Sequence, residues 1–86
     1  MIPNEVFEKI ILERIRQESL REEGKFKYTA ATPCLREELK LSILVEEVGE
    51  VAKCLNESQH GTHALEKELI QIMAVCLAWL ESDSFR

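Results

Sequence analysis

The sequence predicts an all-α fold, three main helices packing as a helical bundle completed by oligomerisation. Apolar residues recur at three- and four-residue steps in three long stretches. Nowhere do they alternate one by one, as a half-buried strand requires. Gly24, Pro33 and Gly61 punctuate the chain between those stretches. At 86 residues the chain is expected to be one domain, 1–86. A domain of that size buries a modest fraction of its surface, so a partner subunit would help it.

The first helix starts near Glu5, with Asn4 as its cap and Glu5 and Glu8 near its positive end. Its apolar stripe reads Val6, Phe7, Ile10, Ile11, Ile15 and Leu20, and it ends around Glu23, before Gly24. From Lys25 to Thr32, KFKYTAAT has no sustained period and reads as a loop. Phe26 and Tyr28 either reach over a ligand or pin that loop to the core. Thr32 and Pro33 are a cap followed by the residue best tolerated in a first turn, and the second helix runs from there to about Asn56. Its buried stripe is read as Leu44, Val45, Val48, Val51 and Ala52. Ser58 to Thr62 is a turn centred on Gly61, and Thr62 caps a third helix that runs to about Glu81. From Leu69 to Leu80 this helix is apolar on nearly every side and must be covered all round, which self-association would achieve. The closing SDSFR is expected to fray.

A charge of −5 and a pI near 5.0 argue against a nucleic-acid partner, which calls for clustered Lys and Arg. Cys34, Cys54 and Cys76 match neither a zinc ribbon nor a redox pair and read as reduced thiols, the latter two filling core space. The start of the chain does not read as a signal peptide, and Ile72–Leu80 is too short a run to span a bilayer. These features lead to the expectation of a cytoplasmic protein without membrane contact.

The chemistry concentrates in two places. Glu47 and Glu50 stand three apart on one helix, with Glu46 four before Glu50. Like charges at that spacing repel unless a cation sits among them. Glu68 and Gln71 repeat the three-residue offset on the next helix. Carboxylates on two facing helices can hold a hard divalent cation, and Mg²⁺ is kept by a few carboxylates together with water and substrate phosphates. Arg14, Arg16, Lys25, Lys27 and Lys53 are candidate phosphate contacts, each readable also as a solvated surface charge. His60 and His63 flank the turn glycine and read as loop histidines, while Trp79 belongs first to core or interface.

EEVGE, Glu46–Glu50, followed by Glu68 in ELIQ, resembles the ExxE and ExxD pair of the MazG-like nucleotide pyrophosphohydrolases, within the all-α NTP pyrophosphohydrolase superfamily. LVEEVGEVAKCLNE, KELIQIMAVCLAWLES and ERIRQE extend the resemblance to short family members found in phages and mobile elements, while Gly24 to Pro33 lies outside it. The resemblance implies a homodimer or dimer of dimers, and Mg²⁺-dependent hydrolysis of a nucleoside triphosphate, NTP or dNTP, to monophosphate and pyrophosphate. Glu47, Glu50, Glu68 and Gln71 would hold the metal, Glu46 or Glu47 would act on the attacking water, and Arg14, Lys25 and Lys53 would contact substrate. One position departs from the pattern, since Gln71 stands where the family has Asp. An amide still offers an oxygen but brings no charge. The alternatives are a non-catalytic helical oligomer kept as a nucleotide-binding or regulatory module, or a helix-groove partner for another protein.

Overall fold

The computed structural model describes residues 3–57 and 62–86, with Thr62 described by its backbone alone. Three helices follow one another, α1 at Asn4–Glu22, α2 at Glu37–Asn56 and α3 at Thr62–Glu81, and a single 3₁₀ turn at Asp83–Phe85 closes the chain. The described residues contain no strand. α1 and α2 each pack along α3 and scarcely on each other, which makes α3 the spine and leaves a cleft between its neighbours. The core is small. Ala30, Val75 and Ala78 form it, with Ile43, Leu44 and Trp79 packed around them. No described helix is long and apolar enough to cross a membrane.

The end of α1 follows from its glycine. Gly24 takes a φ of +80°, and its N–H and that of Lys25 donate to Arg21 O and Leu20 O at 3.0 and 2.9 Å. That pairing is the αL cap that satisfies the last carbonyls of a helix, and only glycine adopts it freely.

The two expected starts differ. Asn4 is the first residue of α1, not its cap; Pro3 holds the cap position and no side chain bonds there. α2 begins at Glu37 instead of Pro33. The Thr32 hydroxyl accepts from Thr29 N at 2.9 Å and so closes a turn instead of capping a helix, and Cys34 at φ 62° breaks any helical path through Pro33. Nor does the tail fray. Ser82 is buried, its hydroxyl accepts from Ser84 N and donates to Trp79 O, and it also accepts from Lys40 Nζ at 3.1 Å. The turn expected at 58–61, with His60 and Gly61, and the Thr62 side chain lie outside the described residues.

The faces of α1 and α2 are rotated from the expected ones. On α2 the row turned to the rest of the molecule is Lys40, Ile43, Leu44, Glu47, Val51 and Cys54, while Val45 and Val48 from the expected stripe are half exposed and Ala52 is exposed. On α1 the inner row is Val6, Ile10, Glu13, Arg14 and Gln17, and Phe7, Ile11 and Ile15 face outward. Each helix carries apolar residues on two sides, and the side bearing polar residues is the one that packs. Cys54 is buried and Cys76 half-buried, as expected of core fillers, while Cys34 is exposed.

Candidate functional site

The rotation of α2 brings Glu47 into the row that faces α3, where Glu68 and Gln71 occupy the half-buried inner side of the spine. The Gln71 amide stands between the two carboxylates. With its nitrogen facing them it donates to Glu47 Oε2 at 3.1 Å and to Glu68 Oε2 at 2.9 Å. Turned over, the same amide presents its oxygen to a cation held among the three groups. Three of the four residues expected to hold a metal therefore meet at one point. Glu50 and Glu46 lie on exposed sides of α2, and both add their negative charge to the field at Glu47.

That field acts on Glu47. Burial, then the charges of Glu68, Glu13, Glu50 and Glu46, push its carboxyl above the usual carboxylate range. Glu13 comes from α1 and was not among the expected site residues. It is nearly buried and clamps Arg16 in a two-pronged pair, Nε to Oε1 at 2.8 Å and Nη2 to Oε2 at 2.7 Å. The Glu13 hydrogen bond is the main cause that raises the Arg16 guanidinium above its ordinary value, and the Glu47 charge adds to it. A guanidinium held by Glu13 thus stands near the Glu47 carboxylate.

Arg16, Glu46 and Glu47 border a cavity of about 430 Å³ between α1, α2 and the loop that joins them. Lys25, Phe26, Lys27 and Tyr28 line it from the loop, and Gln17 from α1. The loop aromatics are thus on the cavity wall, and the two lysines sit with Arg16 in reach of one occupant. Lys25 is exposed and pairs loosely with Glu23 at 3.8 Å.

Two substrate candidates lie elsewhere. Arg14 is buried on the other side of α1, where Glu18 and Glu81 take up its charge, so it ties α1 to α3 and does not face the carboxylate cluster. The sequence pattern hid this because the expected stripe placed Arg14 on the solvent side. Lys53 is not on that cavity but borders a second hollow with Lys67 and with Glu50 and Glu68, two of the residues expected to hold a metal. His63 is exposed, and Trp79 is anchored by its indole N–H, which donates to Glu37 Oε2 at 2.6 Å.

Among the described residues no three His, Cys, Asp or Glu side chains converge closely enough to hold a metal ion unaided. The third donor at the α2–α3 meeting point is the Gln71 amide, and two carboxylates with an amide oxygen are a hard, all-oxygen set of the kind Mg²⁺ takes, completed by water. The residues present fit such an ion. Compared with known proteins, the chain matches no family model, no curated protein and no solved structure.

Proposed function

We propose that the protein hydrolyses nucleoside triphosphates, NTP or dNTP, to monophosphate and pyrophosphate with Mg²⁺, in the cleft between α1 and α2. The observation that carries this reading is the meeting of Glu47, Glu68 and Gln71 from two helices, of which Glu47 also lines a cavity bordered by Arg16, Lys25, Lys27, Phe26 and Tyr28. The ExxE pattern and its partner on α3, which resemble those of the MazG-like enzymes, support the same reaction.

Glu47, Glu68 and the turned Gln71 amide would hold the ion, and Glu50 would add charge and a further oxygen through water. When bound, Mg²⁺ neutralises phosphate charge and polarises the phosphoryl group under attack. The chain's own residues do the rest. Arg16, fixed by Glu13, with Lys25 and Lys27, binds phosphate oxygens and sets the triphosphate in line. Glu46, on the cavity rim, orients the attacking water and accepts its proton. An acidic protein thereby binds a polyanion, because the metal and the Arg16 side reverse the local sign.

The second reading is a non-catalytic nucleotide-binding or regulatory module. The two hydrogen bonds from Gln71 favour it, since they satisfy both carboxylates without any ion. Phosphorus NMR of a panel of NTPs and dNTPs incubated with the protein and Mg²⁺ separates the two. Pyrophosphate and monophosphate in equal amounts, lost in Glu47→Gln, support hydrolysis. Intact triphosphates throughout, with the protein folded, would leave only the module.

The reading includes a second copy of the chain. Met73 and Leu80, in the Leu69–Leu80 stretch expected to be covered by a second copy, are at least half exposed, and so are Phe7, Ile11 and Ile15 on α1 and Leu41, Val45, Val48 and Leu55 on α2, apolar side chains that a second copy would cover. The cytoplasm, with its millimolar nucleotides and Mg²⁺, is the compartment this chemistry suits.

A further inference from the structure

Gln17 is 7% exposed, the most enclosed polar side chain of the cavity wall after Thr29. Its Oε1 accepts from Arg14 Nη1 at 3.5 Å. Arg14 is itself held by Glu18 and Glu81, so the guanidinium stays in place and fixes which way the amide faces. The oxygen is turned to the cation and the nitrogen away from it. Among the described residues nothing accepts from that nitrogen, and no sealed side-chain nitrogen or oxygen lacks a partner. The Gln17 nitrogen is therefore not sealed, and Gln17 is one of the residues that line the cavity. An enclosed donor of fixed orientation, beside Phe26 and Tyr28, is a reading group awaiting an acceptor.

We propose that this cavity is a nucleobase site, in which Phe26 and Tyr28 offer aromatic faces to the base and the Gln17 amide nitrogen donates to an exocyclic carbonyl oxygen of it. The inference rests on the nucleotide reading above and adds the part of the substrate that is selected. A base that carries no carbonyl at the facing position leaves the Gln17 N–H dry and unpaired, and a site of that kind rejects such an analogue more sharply than an apolar pocket rejects a missing methyl. Arg14, which touches no substrate, acts here as a positioning residue. Its charge keeps the amide from turning over.

The test is calorimetric binding of nucleoside monophosphates without Mg²⁺, in pairs that differ by one carbonyl: uridine against 2-pyrimidinone riboside, and inosine against purine riboside. Wild type is expected to bind the carbonyl-bearing member of at least one pair about tenfold or more tightly. Gln17→Glu, of the same shape and with an acceptor in place of the donor, is expected to erase that preference while keeping its α-helical circular dichroism. Gln17→Met, which removes the donor together with the acceptor of Arg14 and adds no charge, serves if the glutamate variant does not fold. Equal affinities within both pairs for wild type, or no binding of any monophosphate, would overturn the inference. A preference that persists in a folded Gln17 variant would overturn it as well. Because no turnover is involved, base selection without hydrolysis would sink the proposed reaction and leave this site standing, and hydrolysis without base selection would do the reverse.

Discussion

Glu47 carries the largest electrostatic imbalance of the site, and its titration has a definite sign. In the unfolded chain it ionises in the ordinary range, near 4.5, whereas in the fold its carboxyl holds the proton to higher pH. The cost of charging it is absent below 4.5, where both states are protonated, and grows as pH rises through the raised value. Glu18 has the opposite sign. Burial opposes its charge, but hydrogen bonds from Thr29, Arg21 and Arg14 outweigh that and hold it down to about 2. Its contribution is present above 4.5 and is lost as pH falls from there toward about 2. Acidification from neutral pH is therefore expected to raise stability first, through Glu47, and then lower it, through Glu18. Glu47→Gln should remove the first phase and, without metal at pH 7, stabilise the fold by about 0.5–1 kcal/mol, discounted for partial solvent screening. Urea midpoints across pH 3–8 measure both, and a variant less stable than wild type at pH 7 would contradict the assigned repulsion.

At the scale of elements, the C-terminal ends of the helices are more legible than their starts or their faces. Gly24 marks the end of α1 because it adopts a positive φ easily, and the start of α3 near Thr62 is read from the turn glycine before it. Facing was not legible, because α1 and α2 carry apolar residues on two sides, and a period of three to four fits either. The choice fell on the greasier row, whereas packing buried the row with Arg14, Gln17, Lys40 and Glu47, whose polar ends find partners inside. For the same reason Glu47, Glu68 and Gln71 were readable from their spacing, while Glu13 and Gln17 were not. The tail was missed because its partner lies far off in sequence. Lys40 is fully buried, donates to Ser82 and Ser84, and lies 3.6 Å from Glu37 and 3.9 Å from Asp83, so it ties the last turn to the start of α2. Lys40→Ala is expected to cost about 2–4 kcal/mol, from the hole it leaves and the hydroxyls it orphans. Hydrogen exchange should show Ser82–Phe85 losing protection in that variant, and an unchanged tail would mean that Trp79 and Glu37 suffice to hold it.

Among the described residues Arg14 and Lys40 are buried while many large apolar side chains are exposed, and the proposal of a second copy rests on that balance. Light scattering coupled to gel filtration is expected to give a dimer or tetramer at micromolar concentration, and Val48→Glu, on the outer face of α2, to shift it toward smaller species. A stable 9.9 kDa particle for wild type would remove the reason for those outer stripes. A divalent-cation site on α2 and α3, where Glu47, Gln71 and Glu68 meet, is the centre of the proposed chemistry. Isothermal titration of Mg²⁺ into the nucleotide-free protein tests it most directly, with Glu68→Gln as the comparison. Saturable binding by wild type is expected, weakened about tenfold or more when one carboxylate charge is removed, because that charge would act at contact distance in a partly dry site. Equal Mg²⁺ affinities for wild type and a correctly folded Glu68→Gln variant, or no binding by either, would contradict it.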